Sequence, residues 1–234
     1  MHLTSEPAIL YFGTPVVVIS TVNEDGTFNL APMSSAFWLG WRCILGLGAT
    51  SKTAQNLQRE RECVLNLASV NEVDAVNRLA LTTGANPVSE VKYGRGYRHV
   101  KDKFAAAQWT ALASDTVAAP RVQECPVQLE ASVEAIHGIA EDDDVQRGKI
   151  MTFEVRIRRV HLEESILAEG EPNRVDPDKW RPLIMSFQKF YGLESTQLQT
   201  SKLAQIPEHK YRSVDVDRAR REVDAQRELQ ESLV

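Results

Sequence analysis

The sequence predicts a strand-rich α+β domain in which antiparallel strands close, wholly or partly, into a barrel carrying packed helices. Two stretches alternate with period two. Val127, Leu129, Ala131, Val133 and Ala135 are interleaved with Gln128, Glu130, Ser132 and Glu134, and Met151, Phe153, Val155 and Ile157 with Thr152, Glu154, Arg156 and Arg158. Each is a strand with one buried face. Short helices fall between the strands, and the alternating strands imply antiparallel pairing with one face buried.

In chain order, Val16 to Thr21 is a β-branched run, and Asn23-Glu24-Asp25-Gly26 supplies the turn that makes it the first arm of a hairpin. Thr27 to Ala31 is the return strand, ended by Pro32, and Cys43 to Leu47 is a third short strand closed by Gly48. Met33 to Trp41 reads as a long connection rich in serine and aromatic residues. Ser51 caps a helix from about Lys52 to Arg59, and Cys63 to Leu67 returns to strand. Ser69 and Glu72 have capping-box spacing for a second helix with Val73, Val76 and Leu79 on one face, ending near Gly84. Thr83 to Ala119 has poor periodicity and one short helix near Asp102 to Ala107; an excursion of this length usually covers something. The acidic run Glu141 to Asp144 joins the two long strands, and Arg156 to Arg159 reads as a wet strand face. Leu183 to Tyr191 is a last strand, punctuated by Gly192. From Ser213 onward a charged helix carries only a thin stripe of Ala219, Val223, Leu229 and Leu233. It must rest on the body or on a partner subunit, with the partner favoured.

The 234 residues suit one sizeable domain with additions, and 43% hydrophobic with 25% charged residues supports a packed core. A net charge of −5 argues against nucleic acid as partner. Three widely spaced cysteines, Cys43, Cys63 and Cys125, suggest neither a disulfide framework nor a zinc site and fit a reducing cytoplasm. With no leader-like N-terminus and no long apolar window, a cytoplasmic chain outside the membrane is expected. His99, His161 and His209 stand apart from any second ligand at metal spacing, so no metal is expected. Gly46-Leu47-Gly48 and Gly94-Arg95-Gly96 lack the third glycine of a dinucleotide fold. Trp38, Trp41 and Trp109 read as core or interface anchors.

Two constellations could carry chemistry. In the first, a strand end at Gly48 runs into a helix start at Ser51, Lys52 and Thr53. Unpaired N–H groups, two hydroxyls and a cation would there form a phosphate seat. The same residues also suit an ordinary capped helix with a surface lysine. In the second, Asn29 to Phe37, the proline and the small residues after it leave main-chain donors open to a flat heteroaromatic ring. Taken alone, these residues favour a plain strand exit with a serine-rich loop.

Pro15-Val-Val-Val-Ile-Ser-Thr21, Asp25-Gly26, Asn29-Leu-Ala-Pro-Met-Ser-Ser35, Ser51-Lys-Thr-Ala-Gln-Asn-Leu57 and Cys63-Val-Leu-Asn-Leu67 together resemble the flavin reductase-like domain family. Asp102-Lys-Phe104, Pro120-Arg-Val122, Glu124-Cys-Pro-Val-Gln-Leu-Glu130 and Phe190-Tyr-Gly192 extend the likeness over residues 10–193, leaving an extension of residues 1–9 and a charged one of 194–234. The resemblance implies a mainly β, six-stranded antiparallel FMN-binding split barrel with peripheral helices, working as a homodimer. It implies that Met33, Ser34, Ser35 and Ala36 border a noncovalently bound FMN ring. Gly48, Ser51, Lys52 and Thr53 would hold its phosphate, and Asn56 would brace that turn. NADH or NADPH would be the transient hydride donor, and free flavin or an electron-acceptor protein the recipient. One departure stands out: the Gly-Asp-His that many family reductases carry between the long strands is replaced by His137-Gly138-Ile139 and an acidic run. An oxidoreductase is the leading reading, a non-catalytic FMN-binding or electron-carrying protein the alternative. A dimeric interaction module built on the C-terminal helix is the third.

Overall fold

A computed structural model describes residues 1–194 and 196–231, with backbone only for 226, 227 and 229–231. The main sheet has seven antiparallel strands: β1 (Val17–Val22), β2 (Phe28–Met33), β3 (Ala36–Leu39), β4 (Arg42–Gly48), β5 (Glu62–Leu67), β6 (Val127–Ile139) and β7 (Ile150–Leu162). They are ordered β2-β1-β5-β6-β7-β4-β3, with no ladder joining the two edges, so the barrel is open. The helices are α1 (Lys52–Glu60), α2 (Val73–Leu79), α3 (Glu90–Gly94), α4 (Lys103–Ala107) and α5 (Val214–Glu231). Among the described residues no helix is long and apolar enough to cross a membrane.

β1 explains its own composition. Val17 and Ile19 enter the barrel interior with Leu45, Leu65, Phe153 and Val155, while Val16 and Val18 face a second cluster with Leu30, Val76, Leu79, Phe104 and Trp109. A strand buried on both faces reads as a continuous β-branched run. The alternating strands β6 and β7 pair from Val127 opposite Leu162 to Ile139 opposite Ile150, with irregularities at Glu130/Ala131 and Val133/Ala135. Such shifts bend and coil a ribbon of this length around a core.

The expected mainly β architecture with peripheral helices is present, with one strand more than the six expected. The extra strand is β3, which lies inside the supposed connection Met33–Trp41 and pairs with β4 from Ala36 opposite Leu45 to Leu39 opposite Arg42. Its outward Phe37 and Leu39 hide the alternation that a wet edge would show. Pro32 does not end β2. It pairs with Val18 inside the strand, which is tolerated because β2 is a sheet edge and its missing N–H faces no further ladder.

The stretch expected as one last strand is a tight hairpin of Ile184–Ser186 and Lys189–Tyr191, turning at Phe187 and Gln188 with φ of 45° and 65°. Neither residue is a usual left-handed former, so the turn left no signature in the sequence. The helix after the Ser69–Glu72 capping box is present and ends at Leu79, earlier than Gly84.

Two faces read as wet are covered. The outward Gln128 and Glu130 of β6 are 7% and 0% exposed because residues 110–122 lie over them. Arg156 and Arg158 of β7 lie under α5, whose Glu222 sits 3.6 and 3.3 Å from them, and Asp215 of α5 pairs with Arg42 of β4 at 2.9 Å. The tail helix thus rests on its own barrel. Its stripe supplies a buried Ala219 and a half-buried Val223, whereas Leu233 and the side chain of Leu229 lie outside the described residues.

Candidate functional site

A cleft of about 190 Å³ opens between the end of β2, the start of α1 and the excursion that follows α2. Met33, Ser51, Lys52 and Thr53 of the expected site line it, joined by Asn29, Pro32, Thr83, Gly84, Lys92 and Lys103. The structure therefore brings Ser51, Lys52 and Thr53, expected as a phosphate seat, and Met33, the first residue of the expected ring loop, to one place. Ser34, Ser35, Ala36, Gly48 and Asn56 are not in its walls. Ala36 turns into the barrel core, Ser35 accepts from Gly46 N through its carbonyl (2.8 Å), and Gly48 receives the Ser51 N–H at 2.9 Å.

The seat is built by local rules. Ser51 is extended, its Oγ accepts from Ala54 N at 3.1 Å, and the first N–H groups of α1 lack intrahelical acceptors. Asn56 is fully buried and donates to Thr21 Oγ1 and Asn23 Oδ1, both at 2.9 Å, which fastens α1 to β1 and its turn. Asn29 Nδ2 donates to Thr53 Oγ1 at 3.1 Å, aligning the hydroxyl from the strand side. Asn29 Oδ1 is buried with no partner, and a Cβ added at Gly84 would stand 2.6 Å from it and 3.1 Å from Lys52 Cγ. The wall approaches so closely there that only glycine fits, and an acceptor is left for a ligand donor.

The charge of the cleft is one-sided. Its walls hold Lys52, Lys92 and Lys103 and no carboxylate. Lys52 Nζ pairs with Glu24 at 3.0 Å, a carboxylate more than half exposed outside the walls, so the pair is weak and exchangeable. Lys103 Nζ donates to the Leu30 carbonyl at 2.8 Å; burial, reinforced by Lys92, lowers its pKa to about 8. Burial also lowers that of Lys92, which lies 3.5 Å from Thr83 Oγ1 and 5.6 Å from the Tyr97 ring centroid. Lys92 was not singled out in the sequence, and Lys103 entered only within the family-like Asp102-Lys103-Phe104, with no role given to it. In the sequence this stretch reads as a short helix carrying a family-like motif, and the inward direction of its lysine depends on α4 packing against β2 and α2.

A second polar cluster lies outside the cleft. Glu130, inaccessible to solvent, accepts from Asp115 N (2.9 Å), Thr116 N (2.6 Å) and Thr116 Oγ1 (2.6 Å), and lies 2.7 Å from His161 Nε2. Those bonds outweigh burial and hold its pKa down to about 2. Ligand atoms of Asp115, Glu130 and His161 lie within 4.8 Å of one another, but Arg159 engages Asp115 at 2.6 Å and Arg121 stands 3.8 Å from Glu130. With two guanidinium groups there, the trio clamps the 113–119 loop onto the barrel. The three cysteines are free and buried; burial raises their pKa values, Cys43's to about 12, which keeps them unreactive thiols.

Comparison with known proteins agrees with this geometry. Residues 9–194 match the flavin reductase like domain. An uncharacterized protein of Bacillus subtilis, YdfE, is 38% identical over 188 residues, covering 80% of this chain and 87% of its own. Among solved structures, the flavoredoxin of Desulfovibrio vulgaris superposes with a TM-score of 0.69 at 19% identity, covering 87% of this chain and all of its own. Nitrilotriacetate monooxygenase component B from Bacillus cereus superposes with 0.65 at 17% identity, covering 82% and 89%. At such identities the structural matches speak for the fold, while the family match spans most of the chain. The open seven-stranded barrel, the Ser-capped helix beside a lysine-lined cleft and the match over residues 9–194 together assign the chain to the flavin reductase-like domain family, and with it to the flavin-linked oxidoreductases.

Proposed function

We propose that the protein binds FMN noncovalently in the cleft between β2 and α1 and works as an FMN-dependent oxidoreductase with NADH or NADPH as donor. The observation that carries this reading is a Ser-capped helix start lined by Ser51, Lys52 and Thr53, in a cleft with three lysines and no carboxylate. Helix N–H groups, hydroxyls and cations are the donor set a phosphate monoester needs. The unpaired Asn29 Oδ1 adds an acceptor that suits a ribityl hydroxyl or a ring N–H. These residues fit FMN. Ser51, Lys52 and Thr53 would hold its phosphate, Asn56 would keep α1 in register beneath it, and Met33, the one residue of the expected ring loop in the cleft wall, would border the ring.

Bound flavin would supply the redox chemistry, taking a hydride from the nicotinamide and passing electrons to free flavin or an acceptor protein. The protein supplies placement and a positive field. The hairpin His137–Lys149 stands where family reductases carry Gly-Asp-His, which favours the electron-carrier alternative: here Glu141 packs against Gly138 so closely that a Cβ would overlap it. Anaerobic mixing of the FMN-loaded protein with each nicotinamide separates the two. Bleaching of the flavin band within turnover time supports the oxidoreductase. A spectrum unchanged by either donor, yet bleached by dithionite, supports the carrier.

We also propose a homodimer of the domain spanning residues 10–193. β3 is an open sheet edge with Phe37 and Leu39 53% and 74% exposed, and pairing or covering such an edge is the usual remedy. Sedimentation showing a monomer at micromolar concentration with flavin still bound would contradict it.

A further inference from the structure

We propose that Lys92 and Lys103 form a proton-coupled anion receptor: filling the cleft with a phosphate-bearing ligand draws a proton from the buffer onto this pair. The inference rests on the flavin reading for the identity of the ligand, and on the lysine pair for the coupling.

Both lysines come from the excursion after α2 and line the cleft together with Thr83 and Gly84 of the same excursion. Their partners are neutral. Lys103, 3% exposed, is bonded to the Leu30 carbonyl, and Lys92 reaches Thr83 Oγ1 and the Tyr97 ring. Buried charges are otherwise matched by opposite charges, because an unmatched ammonium loses its hydration without return. Here each also repels the other.

The charged groups around them offer no relief. Lys52 in the same cleft is engaged with Glu24; Asp102, which caps α4, has its Oδ1 on Ala105 N; Arg78 of α2 donates to the Ala107 carbonyl at the far end of α4. Lys101, next to α4, faces Asp25 of the β1–β2 turn. Burial and mutual repulsion thus ease the loss of one proton from the pair, and Lys103 titrates near pH 8. A bound dianion reverses the preference, since it favours both ammonium groups.

The sign follows from linkage. Below about pH 7 Lys103 is already charged and binding takes up little; above pH 8 each binding event must bring a proton, and affinity falls as pH rises. Uptake should be about a tenth of a proton at pH 7 and close to one at pH 9. The affinity for a phosphate ligand should weaken by roughly tenfold per pH unit above pH 8 until the complex itself titrates. A phosphate monoester is fully ionised there, with its second pKa at about 6, so the ligand contributes no protons of its own.

The test is calorimetric titration of the full chain at pH 7 and pH 9, in two buffers of different ionisation enthalpy, with FMN, riboflavin and inorganic phosphate as probes. The expected result is a buffer-dependent heat at pH 9 for FMN and for phosphate, close to none for riboflavin, and its loss in a Lys92→Met/Lys103→Met double variant. FMN binding at pH 9 with no proton uptake overturns the receptor and leaves the flavin reading standing. Phosphate binding with uptake while FMN fails to bind leaves the receptor standing and overturns the flavin reading. Binding of neither probe overturns both. Equal uptake with riboflavin overturns the receptor, because the phosphate then plays no part. If the double variant fails to fold, the wild-type comparison of FMN with riboflavin decides alone.

Discussion

Glu130 shows how one buried carboxylate can hold a loop that the sequence leaves shapeless. In the alternation of β6 it falls at an outward position and reads as solvated. In the structure it is sealed beneath residues 113–119 and satisfied by two backbone N–H groups, a hydroxyl and His161. A folded-state pKa of about 2 against 4.5 means that its stabilisation is complete above pH 4.5 and is lost as the pH falls towards 2. The contribution is on the order of 1–3 kcal/mol. Glu130→Gln should lower stability by about that amount at pH 7, and the gap should close in acid denaturation below pH 4. A gap constant from pH 7 to pH 3 would mean that packing, not the ionised carboxylate, does the holding. At this scale the residues legible in sequence were those with local rules: Ser51 as cap, and Ser69 with Glu72 as a capping box. Asn29 and Lys103 fall within quoted motifs, but the roles of Lys92, Lys103 and the unpaired Asn29 Oδ1 follow only from tertiary contacts.

Among the elements, the most regular were also the most legible. The two alternating stretches became β6 and β7, each 13 residues long, because period two over so many positions is hard to satisfy otherwise. β3 and the Ile184–Tyr191 hairpin were missed, the first because its outward side chains are apolar, the second because its turn uses Phe187 and Gln188. The C-terminal helix makes the converse point. Its thin stripe signals that it cannot stand alone, but its docking site is set by Arg42 and, over a hundred residues further along the chain, by Arg156 and Arg158. With Ala219 the one fully buried apolar side chain among those described in α5, charge complementarity fixes the docking geometry. Arg42→Ala should speed amide exchange through residues 214–224 while β6 and β7 keep their protection. Molar salt, which shortens screening to about 3 Å, should act in the same direction. Exchange unchanged by both treatments would show that the apolar contacts of Ala219 and Val223 suffice.

At the scale of the whole molecule, an open barrel with both faces of β1 buried brings a strand edge, a helix start and a long excursion to a single cleft. The motif residues from Asn29 to Ser35 and from Ser51 to Asn56 are separated along the chain, and the β1–β2 hairpin together with α1 makes them neighbours. The third wall comes from the excursion, whose lysines give the cleft a charge that favours a phosphate-bearing ligand over its neutral counterpart. That preference is the central claim, and Lys52 is the residue on which it can be read most simply, because its present partner Glu24 is exposed and easily exchanged. The decisive measurement is the equilibrium affinity of the wild-type protein and of Lys52→Ala for FMN and for riboflavin at pH 7. A charge-assisted contact contributes roughly 1.5–3 kcal/mol, so the variant should lose about tenfold or more for FMN and little for riboflavin. Equal losses for the two ligands, or a wild-type protein that binds them equally well, would contradict the placement of the phosphate at the start of α1.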